Sequence, residues 1–137
     1  MMTMNKNMKI LLFSALLFAA ALSTAQAQET NSRAARVGFG TLTATGTTST
    51  FSVRDVAPAQ HTIQANVSGS PASCSVQLEG SLDAGANWFN LSGAQDCSGG
   101  NTMFHVVTRP MDYVRLNVSA FSGGTSPKIT LYYLGVH

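Results

Sequence analysis

Catalysis needs reactive side chains at workable spacing, and this chain of 137 residues has few. Its three histidines are dispersed: His61 opens an alternating run, His105 sits between Phe104 and Val106, and His137 is the last residue. A serine–histidine–aspartate set can be drawn, for example with His105 and Asp112, but no strand–turn–helix elbow is written around a serine to hold it. Phosphate-cradling glycine loops, the H-E-x-x-H zinc pattern and the C-x-x-C redox pattern are missing. Asp83 and Asp96 are loop carboxylates of a kind calcium uses, yet two scattered carboxylates make a poor cage, and Asp83-Ala84-Gly85 is explained as a turn. The expectation is no catalytic residue, no metal and no cofactor.

Recognition chemistry is better represented. Trp88-Phe89 and Tyr132-Tyr133 are adjacent aromatic pairs, and in extended backbone neighbouring side chains point to opposite faces. One ring of each pair then fills a core while the other meets solvent. An exposed ring at Trp88 or Phe89, with Tyr132 and the amides of Asn87 and Asn90, would stack on a sugar and hydrogen-bond its hydroxyls. The plainer reading, which we favour, makes Trp88 the main apolar plug of a small core.

Strands must position these groups, because nothing after Gln28 has the period of a useful helix. Ser and Thr supply 25 of the last 110 residues and all 12 glycines lie there, a composition that favours short strands and tight turns. Alternation sets Ile63, Ala65 and Val67 inward, then Cys74, Val76, Leu78 and Leu82, then Phe104 and Val106, then Val114, Leu116 and Val118, then Ile129, Leu131 and Tyr133. Weaker runs at 37–45 and 50–56 place Phe51 and Val53 inward, and Gly38-Phe39-Gly40 reads as backbone packing or a bulge. Turns are expected at Gly46-Thr47-Thr48, Ala57-Pro58, Gly69-Ser70-Pro71, Asp83-Ala84-Gly85, Ser98-Gly99-Gly100 and Gly123-Gly124-Thr125-Ser126-Pro127. Seven to eight short strands so spaced predict an all-β, antiparallel β-sandwich, of jelly-roll or immunoglobulin-like type, in a single domain over 37–137.

The start of the chain reads as an export signal. Lys6 and Lys9 precede the 13-residue apolar run Ile10–Leu22, and Ala25-Gln26-Ala27 supplies small residues for cleavage before Gln28. Thirteen helical residues rise only about 20 Å, short of a roughly 30 Å hydrocarbon core, so cleavage rather than anchoring is expected. Residues 1–27 are thus assigned to a signal peptide and 28–36 to a flexible lead-in, which makes the product secreted, extracellular or periplasmic, without membrane insertion. In that compartment Cys74 and Cys97 should form one disulfide. Beyond residue 27, six basic residues face six acidic ones, which argues against nucleic acid as a partner.

One stretch carries a family likeness. Gly80-Ser81-Leu82-Asp83-Ala84-Gly85-Ala86-Asn87-Trp88-Phe89-Asn90-Leu91 resembles the strand–turn–strand "SxDGxxW" element of discoidin-like, galactose-binding-like sandwich domains, which also occur in bacterial surface and phage virion proteins. Arg109-Pro110-Met111-Asp112-Tyr113-Val114-Arg115-Leu116 is similar to their "P-x-x-A-R-Y-V-R-L" strand, and Ile129–Gly135 to their closing strand. The resemblance covers residues 76–135, about half of the expected mature chain, and implies a β-sandwich.

Two functions follow as expectations. The outward faces hold Ser, Thr, Asn and Gln with little charge, which suits a non-catalytic structural or interaction module, self-associating or docking on a cell-surface protein through sheet edges or faces. The alternative is an extracellular carbohydrate-binding module with a glycan partner, built on Trp88, Phe89, Asn87, Asn90 and Tyr132.

Overall fold

The alternation written into the sequence becomes ten strand segments in the computed structural model, which describes residues 34–137. They are β1 (Ala34–Leu42), β2 (Gly46–Thr47), β3 (Phe51–Ser52), β4 (Gln60–Ser68), β5 (Ser73–Ser81), β6 (Phe89–Asn90), β7 (Gln95–Asp96), β8 (Thr102–Val107), β9 (Tyr113–Ser122) and β10 (Lys128–Val136). The signal peptide assigned to 1–27 and the lead-in over 28–33 lie outside the described residues. Strand β1 begins at Ala34, so residues 34–36 of that lead-in are strand, paired with Val136, Gly135 and Leu134.

Every pairing is antiparallel. One sheet runs β1-β10-β4-β8; the other has β9 and β5 at its centre, β2 and β3 along one edge, and β6 and β7 along the other. Counting each pair of two-residue segments as one edge position gives eight strands in two four-stranded layers. The chain crosses between layers at all but the β5-to-β6 step, the order of a jelly roll rather than an immunoglobulin-like sandwich. The expected seven or eight strands become ten segments because both edges of the second sheet are interrupted.

Between the layers lies one apolar core. Ile63, Leu78, Leu116, Ile129 and Leu131 are fully buried, with Val53, Val76, Val114 and Val118. Burial of each such side chain contributes about 2 kcal/mol. Leu82 departs from the expected pattern: it lies one residue past the end of β5 and is 64 % exposed, because the inward parity of a strand buries nothing once the facing layer has ended. Gly46-Thr47, expected as a turn, pairs instead with Val118 and Asn117 of β9. The adjacent Thr48 is buried and its hydroxyl accepts the Leu116 N–H at 3.0 Å, fastening that edge.

Two local devices shape the sheets. The Gly38-Phe39-Gly40 segment holds a β-bulge, where register against β10 slips between Gly38 and Gly40 and Gly40 takes φ +86°. The disulfide joins Cys74 of β5 to Cys97 just past β7, and the Cys97 N–H donates to the Cys74 carbonyl at 3.0 Å. It ties the 83–97 excursion back to the sheet it leaves. No helix among the described residues is long and apolar enough to cross a membrane.

Candidate functional site

Register builds a concave surface on the outer face of the β1-β10-β4-β8 sheet. Two adjacent rungs cross all four strands. The first is Arg36–Leu134–Thr62–His105; the second is Gly38–Tyr132–Gln64–Met103. These positions alternate with the core residues on each strand, so their side chains stand on the solvent side. A groove of about 450 Å³ follows, lined by Arg36, Gly38, Thr62, Gln64, Met103, Tyr132 and Leu134 among others.

Its centre is Tyr132, 44 % exposed. Gly38 lies directly opposite across the β1–β10 pair, and a Cβ there would sit 3.6 Å from one edge of the Tyr132 ring. That is an ordinary van der Waals distance, so the ring rests against β1 beside the groove floor with room even for a methyl group at Gly38. Polar groups surround it in a partly ordered state: Gln64 donates its amide N–H to Asn66 Oδ1 at 2.8 Å, and the Thr62 hydroxyl is 2.9 Å from His105 Nδ1. Met103 (57 % exposed) and Val107 (80 %) add apolar surface along β8, the edge strand.

Trp88 and its neighbours lie elsewhere. They occupy the far side of the molecule, on and beside the outer edge of the second sheet, so the five candidate residues Trp88, Phe89, Asn87, Asn90 and Tyr132 do not share one surface. Trp88 is not the core plug expected from its size. It is half-buried, with the Arg115 guanidinium 4.2 Å above its ring and Gly85 beneath it, where φ is +86° and a Cβ would come within 3.1 Å of the ring. Parity explains the difference: Asn90 opposes Glu79, an outward position, and Trp88 packs across the same outer face. Phe89 stands on the edge opposite Gly80 and is 68 % exposed.

The polar groups around Trp88 are already engaged with one another. Arg115 Nε donates to Glu79 Oε2 at 2.6 Å and Asn117 Nδ2 donates to Glu79 Oε1 at 2.8 Å, which keeps a buried carboxylate satisfied. Gln77 donates to Asn90 Oδ1 at 3.0 Å. Asp83 accepts from the Asn87 backbone N–H at 2.9 Å, from its side-chain amide at 2.6 Å, and from the Ser81 hydroxyl at 2.7 Å. Those bonds, the Asn87 backbone N–H first, hold the Asp83 carboxyl down at about 2. Asn87 therefore closes a turn, with its side-chain amide committed in part to Asp83. Asp96 is likewise held low by the Ser98 N–H and hydroxyl.

The histidines do not converge on a nucleophile. His61 is buried between layers, with Nδ1 2.8 Å from the Tyr133 hydroxyl and Nε2 2.7 Å from Thr108 Oγ1. Because the Thr108 hydroxyl donates onward to the Arg109 carbonyl, it must accept from Nε2–H, and Tyr133 O–H donates to Nδ1. Burial holds the imidazole neutral, with its pKa lowered to about 4, and pushes the Tyr133 phenol up. His105 faces solvent on the groove sheet, and Asp112 pairs with Arg54 at 3.3 Å, so the drawn pair is not assembled. Among the described residues no cluster of three His, Cys, Asp or Glu is placed to hold a metal ion.

Arg36, Gly38 and Met103 were not among the sequence candidates, and only cross-strand register reveals them as neighbours of Tyr132. The signal available beforehand was parity: Thr62, Gln64 and Tyr132 all fall on outward positions.

No protein-family model matches the chain, and no curated protein matches it in sequence. Among solved structures, the SPBc2 prophage-derived protein YomS is similar over 82 % of this chain and all of that one, with 14 % identity and a TM-score of 0.54. A family 29 carbohydrate-binding module aligns over 76 % of this chain and 89 % of its own, at 8 % identity and a TM-score of 0.41. The CBM22-1 xylan-binding domain of Paenibacillus barcinonensis Xyn10C aligns over 64 % and 62 %, at 8 % identity and 0.41. The likeness to YomS is one of fold.

Proposed function

We propose that this chain is an exported, non-catalytic binding module that lays a glycan across the outer face of the β1-β10-β4-β8 sheet. One observation carries the reading: an exposed tyrosine ring leaning over a glycine, flanked by Thr62 and Gln64, in a groove of about 450 Å³. The apolar C–H face of a pyranose suits a ring such as Tyr132, and its hydroxyls suit side chains that both donate and accept. The engagement of Asn87, Asn90 and Trp88 within the protein favours Tyr132 over the opposite face as the platform. Export is supported by the Cys74–Cys97 disulfide together with the leader-like residues 1–27. Binding to a glycan array, compared between wild type and Tyr132→Ala, tests the reading. The variant should melt with the wild type and bind about tenfold more weakly, the loss of one aromatic contact. Absence of binding by folded wild type, or equal binding by the variant, refutes it.

A second reading rests on the β8 edge, which pairs only with β4 among the described residues and carries the exposed Met103 and Val107. Two copies would pair there. Sedimentation velocity over a concentration series tests this, and a strictly monomeric species at high concentration refutes it.

A further inference from the structure

The near-balance of charge over the chain conceals a segregation. The strands of the groove sheet, AARVGFGTL, KITLYYLGV, QHTIQANVS and TMFHVV, contain no aspartate or glutamate. They do contain Arg36 and Lys128, both exposed and both on the outer face, and His105 stands on that face too. The carboxylates of the described chain lie in the second sheet or in loops: Asp55, Glu79, Asp83, Asp96 and Asp112. The ion pairs Arg54–Asp112 and Arg115–Glu79 draw on those, and neither involves Arg36 or Lys128.

We infer that the groove's ligand is an anionic glycan, with Arg36 taking its carboxylate or sulfate; the inference rests on the glycan reading above. Arg36 lines the groove, opposite Leu134, and among the described residues is the one charged residue that does. Tyr132 is two residues along β10 from Leu134, so the diagonal from Arg36 to Tyr132 is roughly 7 Å at the backbone. A sugar ring stacked on Tyr132 therefore places an exocyclic acid group within reach of the guanidinium fork, which matches a carboxylate or sulfate bidentately. Lys128 lies four residues from Tyr132 in the other direction, roughly 13 Å away along the strand. The two cations thus bracket the aromatic along the strand direction, and acidic sugars on either side of the stacked one meet positive charge. Among the described residues no Asp or Glu stands on the strands of this face. A neutral glycan would use Tyr132, Thr62 and Gln64 alike but would leave Arg36 without a role.

The full exported chain is tested by affinity electrophoresis in gels containing polygalacturonate, dextran sulfate or uncharged dextran, with single-stranded DNA as a polyanion control. Retardation by polygalacturonate or dextran sulfate at least tenfold stronger than by dextran is expected, weakening as salt rises. The two acidic polymers distinguish carboxylate from sulfate as the group recognised. Arg36→Gln should lower binding to the acidic polymer about tenfold, and Arg36→Lys should recover part of it. Arg36 is exposed, so these variants keep the wild-type melting temperature, which is checked in the same series. Equal binding to dextran and to the acidic polymers, unaffected by Arg36→Gln but reduced by Tyr132→Ala, overturns the inference and leaves the glycan reading standing. Binding to no polymer removes both. Binding to DNA as tight as to the acidic polysaccharides overturns sugar recognition in favour of a general polyanion surface.

Discussion

Acidification from pH 7 to pH 4 should destabilise this fold by about 3 kcal/mol through a single residue, His61. In the folded chain its ring is buried, donates from Nε2 to Thr108 and accepts at Nδ1 from Tyr133. A second proton on the ring would place a charge in the buried space between the two sheets, and burial accordingly lowers the pKa from 6.5 to about 4. The unfolded chain, with an ordinary imidazole, takes up that proton near pH 6.5. Between those two values the unfolded state binds more protons than the native state, so stability is fully present above pH 6.5 and falls as pH drops toward 4. The difference of the two values at about 1.4 kcal/mol per unit gives the stated magnitude. Asp83 and Asp96, held below the carboxylate range, lose their contribution only below that window. Urea midpoints at pH 7, 6, 5 and 4, with the disulfide intact, measure the loss. His61→Gln can replace the neutral hydrogen bonds without titrating, so its midpoint should be lower at pH 7 and nearly flat down to pH 4. An equally steep fall in the variant would refute the assignment to His61.

Arg115→Ala removes the partner of the buried Glu79 carboxylate and uncovers the Trp88 ring. A loss of about 2 kcal/mol is expected, below the value for a fully buried pair because Arg115 is partly exposed. Trp88 is the only tryptophan, so a red shift of its fluorescence reports the exposure directly. Replacing Cys74 and Cys97 together by Ser opens a loop with a sequence separation of 23 and should cost about 3 kcal/mol, read as a drop in the urea midpoint. Leu131→Ala, at a fully buried position facing the second sheet, should cost about 3 kcal/mol by cavity formation. Tyr133→Phe deletes the donor to His61 Nδ1 and should cost about 1–2 kcal/mol, read as a drop in the urea midpoint.

Period-2 alternation made most of the fold legible before any coordinates. Ile63, Ala65, Cys74, Val76, Leu78, Val114, Leu116, Val118, Ile129, Leu131 and Tyr133 all point inward as their parity requires, and the two cysteines meet as their number and the expected compartment imply. Alternation fails where it meets an end or an edge. Leu82 has inward parity but no facing layer, and Gly46-Thr47 has turn composition but gains two rungs against β9 because Thr48 is anchored to Leu116. Trp88 illustrates a different limit. A large aromatic in a small domain reads as core by volume, yet its position is decided by the turn that Asp83, Ser81 and Asn87 close, which delivers the ring to the outer face beneath Arg115. Strength of a side chain's apolar character says how much burial is worth, not where the backbone leads it.

The candidate site was half-legible for the same reason. Parity separates Tyr132 from Tyr133 without ambiguity: one ring leans over Gly38 in solvent, the other packs near Phe39, Phe51 and His61 inside. What parity cannot supply is which outward residues of distant strands become neighbours, since Arg36, Thr62 and Tyr132 are joined only by register through β10. The bulge at Gly38–Gly40 sets only the register beyond it: after the slip Thr41 opposes Thr130, whereas before it Gly38 opposes Tyr132. Filling Gly40, where φ is +86°, with a β-branched residue would strain that bulge. If the slip were lost, the residues of β1 beyond it would exchange their inner and outer faces while Arg36 and Gly38 kept theirs. Gly40→Val should therefore lower stability through Leu42 and its neighbours yet retain the Arg36–Tyr132 arrangement, so its melting temperature and the proposed binding to an acidic glycan should part company. Loss of binding in proportion to loss of stability would mean that the groove is not held by the register before the bulge.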